Sequence, residues 1–126
     1  MSSPALRNRY LADSINTASP GRLLVMLYDR LVMDLMQGED AVRTGDRDQA
    51  ADKLTHAQEI LLELRTTLDL DAWSGAAGLA DLYSFLLTEL IRANIDRDAD
   101  RVAACRRLVE PLRDAWREAA SQASRE

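Results

Sequence analysis

Apolar residues in the middle of this chain recur at alternating steps of four and three: Ala50, Leu54, Ala57, Leu61, Leu64 and Leu68. That spacing brings a side chain back to one face of a 3.6-residue helix on every turn, and a pleated strand cannot use it. Leu79, Tyr83, Leu86, Leu90 and Ala93 follow the same rule, and Val102, Cys105, Leu108, Val109, Leu112, Trp116 and Ala119 form the apolar stripe of the last helix. No two-residue alternation competes with it, and β-branched residues never cluster. Ala, Leu, Arg, Glu and Gln, all strong helix formers, dominate the chain. The fold class that follows is all-α.

Glycine and proline fall almost entirely between the periodic stretches and mark where helices start and stop. Ser19 is a good N-cap and Pro20 is pre-set for the first helical position, so a first long helix is expected from Ser19 to about Thr44. Gly45 is placed to end it in a left-handed conformation. Asp46 then caps the second helix, with Gln49 three residues on in a capping-box pattern. The third starts around Ser74 to Ala77 and ends near Asn94, and Asp98 caps the fourth. Pro111 sits inside the fourth, where it removes a donor and crowds the preceding turn; the expectation is a kink or two shorter helices. Short connections between long amphipathic helices favour antiparallel neighbours. The architecture expected is an antiparallel up-down four-helix bundle with an N-terminal arm or short extra helix. Residues 1–18 are the arm, 19–121 the bundle and 122–126 a frayed tail. A chain of 126 residues holds one such domain with a core of its own.

Several function classes are excluded on chemistry. A net charge of -5 leaves no basic face for nucleic-acid phosphates. The single cysteine, Cys105, cannot form an internal disulfide, which fits a reducing cytoplasmic compartment. With one histidine beside it, the chain lacks the ligands of an ordinary zinc site, and neither metal nor cofactor is expected. Leu23 to Leu27 is the nearest thing to a membrane segment, but it is short and runs into Tyr28-Asp29-Arg30, so no membrane insertion is expected. Nor does the N-terminal stretch contain the unbroken apolar run of a secretion signal. A di-iron bundle needs Glu-x-x-His pairs, whereas Lys53 stands three residues before His56. His56 reads as a partly exposed helix residue, and Cys105, on an apolar stripe without a basic partner, as a core residue. The aspartates at 69, 71, 96, 98 and 100 flank loops without the pattern of a calcium site. No enzyme is expected.

The first long helix carries more apolar surface than a bundle needs. At 100° per residue, Arg22, Asp29, Arg30, Asp34 and Gln37 occupy an arc of roughly 140°. Leu23, Leu24, Val25, Leu27, Tyr28, Leu31, Val32, Leu35 and Met36 fill the rest, and Met26 and Met33 intrude into the polar arc. A core-facing stripe takes about 100° or somewhat more. Two explanations stand side by side and do not exclude each other: the helix is central or is covered by the arm through Leu6, Tyr10 and Ile15, or the surplus is a groove for an amphipathic partner helix with methionine as adaptable contact. The third helix is over-wide in the same way through Leu82, Tyr83, Phe85, Leu86, Leu87, Leu90 and Ile91.

From Tyr10 to Trp116 the chain resembles the flagellin export chaperone family, FliS. The resemblance rests on Tyr10-x-x-x-Ser14-Ile15-Asn16-Thr17-Ala18-Ser19-Pro20 followed by Leu23-Leu24-Val25-Met26-Leu27-Tyr28-Asp29. It continues through Ala57-Gln58-Glu59-Ile60, Glu63-Leu64, Leu68-Asp69, Leu82-Tyr83, Ala93-Asn94 and Leu112-Arg113-Asp114-Ala115-Trp116. It implies a cytoplasmic helical bundle that binds the disordered C-terminal segment of flagellin, prevents premature polymerisation and delivers the subunit to the export gate protein FlhA. Tyr10 matches the arm tyrosine that the family links to the gate and to covering the groove. Met26, Leu27 and Tyr28 match a Leu-Tyr-Asp region on the first long helix, and Leu82 and Tyr83 a Leu-Tyr pair on the third. With Ile15 on the arm and Met33 on the outer arc, these form the expected partner-binding set. Arg30, Gly78 and Arg7 depart from the family pattern. The competing reading is a structural or signalling bundle that self-associates through the same surplus surface, and a weak homodimer fits either reading.

Overall fold

The computed structural model describes residues 20–125, and within them the chain forms four helices and no strand. They are α1 (Pro20–Thr44), α2 (Arg47–Thr67), α3 (Ala76–Asp96) and α4 (Ala99–Arg125). The expected arm, with Tyr10 and Ile15, and the expected N-cap Ser19 lie outside the described residues.

The helix ends follow the local chemistry. Gly45 adopts φ 78°, the left-handed value that closes α1. The Asp46 N–H donates to the Ala41 carbonyl at 2.9 Å, and the Asp46 side chain accepts from the Gln49 N–H at 3.1 Å to open α2. Asp98 does the same for α4 through the Arg101 N–H at 3.0 Å. α3 runs two residues past its expected end near Asn94, because Arg97 takes the left-handed position (φ 56°) that a glycine usually fills. α4 runs unbroken from Ala99 to Arg125, so the expected division at Pro111 does not occur. Pro111 is exposed, as is Arg107, whose carbonyl would have accepted the missing N–H, so water can satisfy it. Val109 on one side of the proline is buried, and Leu112 and Trp116 on the other pack against the same core. The helix also continues beyond residue 121, where the bundle was expected to end.

α1 packs against α2 and α4, and α3 packs against the same two helices, giving a ring in chain order. Cross-helix pairs set the directions: Asp29 meets Arg117, Glu39 meets Arg106 and Arg43 meets Asp100, so numbers rise on α1 as they fall on α4. Gly38 faces Leu54 and Asp34 faces His56, which makes α1 and α2 antiparallel too. The result is an up-down four-helix bundle. Its core is most of the periodic set read above, with Leu54, Ala57, Leu61, Leu86, Leu90, Val102, Cys105 and Val109 all buried, whereas Leu108 and Ala119 of the α4 stripe are exposed because no neighbouring helix covers them. At Gly38 a Cβ would come within 2.8 Å of the Leu54 side chain, so glycine lets α1 and α2 approach closely there. Two hydroxyls span the diagonal between α1 and α3: Tyr28 Oη and Tyr83 Oη lie 2.5 Å apart in the core. The Trp116 ring sits edge-on to Tyr28, its centroid 6.4 Å away.

Asp34 corrects the sequence reading. It projects into the polar arc of α1 but is 1% exposed. Its Oδ2 pairs with Nδ1 of His56 on α2, which bridges the two helices. Burial pushes the Asp34 carboxyl above the usual carboxylate range, and His56 offsets part of that shift. His56 is partly exposed, as expected of it, and in addition is the buried carboxylate's partner.

Candidate functional site

The surplus apolar surface of α1 divides in two. Leu27, Tyr28, Leu31, Val32 and Leu35 go into the core, because α1 lies against two neighbours and faces the third across the diagonal. Met26, Met33 and Met36 remain in water, Met33 at 49% exposure. α3 divides likewise, keeping Phe85, Ile91 and Ile95 outside, Ile95 at 74%. Single exposed apolar residues are ordinary on any protein. Here six of the ten large ones among the described residues lie on α1 and α3. These are the two helices whose apolar faces exceed what a bundle can bury.

One end of the bundle opens into an apolar pocket of about 370 Å³. The start of α1 contributes Leu23, Leu24 and Leu27, and the end of α2 contributes Leu64 and Thr67. Leu79 and Tyr83 of α3, Trp116 of α4, and Leu68, Asp69 and Trp73 from the α2–α3 connection complete it. Pro20, the first residue of α1, also lines it. A second, wider cleft of about 610 Å³ runs along the C-terminal half of α1 beside Met33 and Met36. Charged groups already engaged with one another line much of it: Glu39 accepts from Arg43 and from Arg106. The first pocket has the character of a docking site for apolar side chains, and the second does not.

The expected site residues fall in three classes. Met26 and Met33 are exposed on α1, and Leu82 is half-buried on α3. Leu27 and Tyr83 are core residues whose edges line the end pocket. Tyr28 is fully buried and offers no surface to a partner; it acts by holding Tyr83, as the Tyr28–Tyr83 bond shows. Burial raises both phenols well above the ordinary tyrosine value, so they are neutral hydrogen-bonding groups. Sequence reasoning passed over Trp73, which is half exposed at the pocket mouth. The available signal was a large aromatic in the Asp71-Ala72-Trp73-Ser74-Gly75 segment, outside any periodic stripe. Leu62, exposed on α2, was also passed over, and Leu108, read as part of the apolar stripe of α4, is exposed instead.

Other chemistry finds little footing. Burial raises the Cys105 thiol to about 11, which suppresses the nucleophilic thiolate. Among the described residues no three His, Cys, Asp or Glu side chains converge as metal ligands do. No described helix is long and apolar enough to cross a membrane.

Comparison with known proteins bears directly on this arrangement. The profile of the family described as "Flagellar protein FliS" matches residues 2–123. The flagellar secretion chaperone FliS of Bacillus subtilis (strain 168) is 32% identical over 118 residues, spanning 91% of this chain and 88% of that one. The protein of the same name from Campylobacter jejuni is 29% identical over 112 residues, with 88% of each chain covered. A crystal structure of a flagellar chaperone from bacteria superposes with a TM-score of 0.76 at 20% identity, covering 94% of this chain and 97% of that one. At that identity the last of these speaks for the fold.

Proposed function

Since the chain belongs to the flagellar protein FliS family and is a flagellar export chaperone, we propose that its client is the disordered C-terminal segment of flagellin. The observation that carries this reading is the apolar surface left outside an intact core, concentrated on α1 and α3, together with an apolar pocket at one end of the bundle. A disordered chain must bury apolar surface to offset the entropy lost on ordering, and a client that wraps around the bundle reaches both surfaces at once. Covering the client's terminal segment withholds it from other subunits, so polymerisation waits for export. Met26, Met33 and Leu82 meet the client directly, Leu27 and Tyr83 form the pocket floor, and Tyr28 supports them from the core. Residues 1–18, with Tyr10 and Ile15, act as an arm that covers the groove until the client arrives, then engages the gate protein FlhA. The setting is the cytoplasm, and no catalytic step is involved.

Titration calorimetry with circular dichroism, using the C-terminal segment of the cognate flagellin, tests the reading. The expected outcome is one-to-one binding with a gain of helicity; neither heat nor helix would refute it. Met33→Glu adds a charge to an exposed side chain and should weaken binding while leaving the melting temperature nearly unchanged. Equal loss of both would return Met33 to a structural role. Sedimentation separates the rival reading, which requires a tight dimer that ignores the peptide.

A further inference from the structure

We propose that Trp73 is the wall that fits the end pocket to an apolar anchor of the client, and that residue 75 is glycine in order to seat it. The proposal deepens the export-chaperone reading and rests on it. Gly75 precedes α3 with φ -84° and ψ -6°, a right-handed conformation open to every L-residue. It makes no side-chain capping bond, so Ser, Asp or Asn would serve the start of α3 better. Neither backbone freedom nor capping accounts for it. Space does: a Cβ at residue 75 would lie 1.9 Å from Cζ3 and 2.4 Å from Cη2 of Trp73. The indole occupies the place of the missing side chain, and any larger residue must displace it.

Seated there, the ring closes one side of the pocket while half of it faces water. An exposed indole is a large apolar area waiting for cover, and tryptophan is among the residue types that dominate binding energy when covered. The bonds that shape its segment are local. Ala72 N–H donates to the Asp69 carbonyl, Asp71 N–H to the Asp69 carboxylate, and Ala76 N–H to the Trp73 carbonyl. The ring can therefore adjust without breaking helix packing. Among the described residues Asp69 is the only charged one lining the pocket, and Asp71, also exposed, stands two residues on. That charge pattern selects the occupant: an amphipathic helical stretch of the client that inserts an apolar side chain beside Trp73 and places a flanking lysine or arginine against Asp69.

Fluorotryptophan labelling of the full-length chain tests this, because the protein has two tryptophans and a Trp73→Phe variant assigns their fluorine resonances. Adding the cognate flagellin C-terminal peptide should shift the Trp73 resonance and shield it from solvent. Gly75→Ala should move the Trp73 resonance in the free protein, keep the helical circular dichroism, and raise the peptide Kd about tenfold or more. Trp73→Ala should raise the Kd similarly, with Trp73→Phe retaining most of the affinity. An unmoved Trp73 resonance in Gly75→Ala overturns the seat. Peptide bound by calorimetry while Trp73 stays unchanged overturns the wall. Absence of any peptide binding by the unmodified chain overturns the client reading and the wall with it; the seat is still judged by the free Gly75→Ala protein.

Discussion

Removing one hydroxyl from the Tyr28–Tyr83 pair should cost far more than removing both. The two oxygens are 2.5 Å apart, Tyr28 is fully buried and Tyr83 is 2% exposed, so water does not replace a lost partner. Truncating one tyrosine to phenylalanine removes the bond and strands the other hydroxyl in the core, a cost of about 1–3 kcal/mol. The double variant strands nothing and keeps both rings, so it should lie within about 1 kcal/mol of the parent. The coupling energy in a double-mutant cycle is then about 1 kcal/mol at the low end of these ranges and about 3–4 kcal/mol at their middle. The singles should also differ. Trp116 has an indole N–H without a hydrogen-bond partner, close enough to the Tyr28 hydroxyl to favour its ionised form. After Tyr83→Phe, the Tyr28 hydroxyl can accept from that indole; after Tyr28→Phe, the Tyr83 hydroxyl has no such substitute. Tyr28→Phe is therefore the costlier variant. For a chain of this length a loss of 2 kcal/mol lowers Tm by roughly 8 °C. Urea unfolding of the four proteins, followed by circular dichroism, measures the cycle. Additive effects, or a double variant as unstable as the sum of the singles, would refute a bond that ties α1 to α3.

Two further predictions concern titration. Asp34 has a carboxyl raised from its ordinary 3.8, so its contribution to stability is full below that value and is lost as pH rises through the raised folded pKa. The groups acting on it are His56, Lys53 and Arg30. In a His56→Gln background, the stability of the Asp34 protein minus that of its Asp34→Asn counterpart should fall as pH rises above 4; a flat or rising difference would refute the assignment. Cys105, with its thiol pushed up to about 11 and 2% exposure, should resist a thiol reagent at pH 8 and react once urea unfolds the bundle. Rapid labelling of the folded protein would contradict its burial.

Much of the fold was legible because helical periodicity is a local property. The stripes at steps of three and four became buried faces over most of their length, from Leu54 and Leu61 on α2 to Val102 and Val109 on α4, while Leu108 and Ala119 stayed exposed. The caps at Gly45, Asp46 and Asp98 were legible for the same reason, since the bonds they make reach no further than five residues. The division at Pro111 was misread because propensity counts the lost donor but not the core packing on both sides that keeps α4 continuous through it. The candidate site was legible only as a surplus. Projection of α1 said that some apolar residues must remain outside, and Met26 and Met33 do, but it assigned Tyr28 to the partner when a neighbouring helix had already covered it.

The chain alone determined the number of helices, their caps and the amount of apolar surface in excess of one core, because these depend on contacts within a turn or two. Tertiary packing decided which residues that excess consists of. Asp34, polar by its place on the α1 arc, was buried because α2 delivers His56 to it. Trp73, in a connection with no periodicity to betray it, became a pocket wall because residues of all four helices converge there. No local rule foresees either, since each depends on a residue from another helix arriving within a few ångströms.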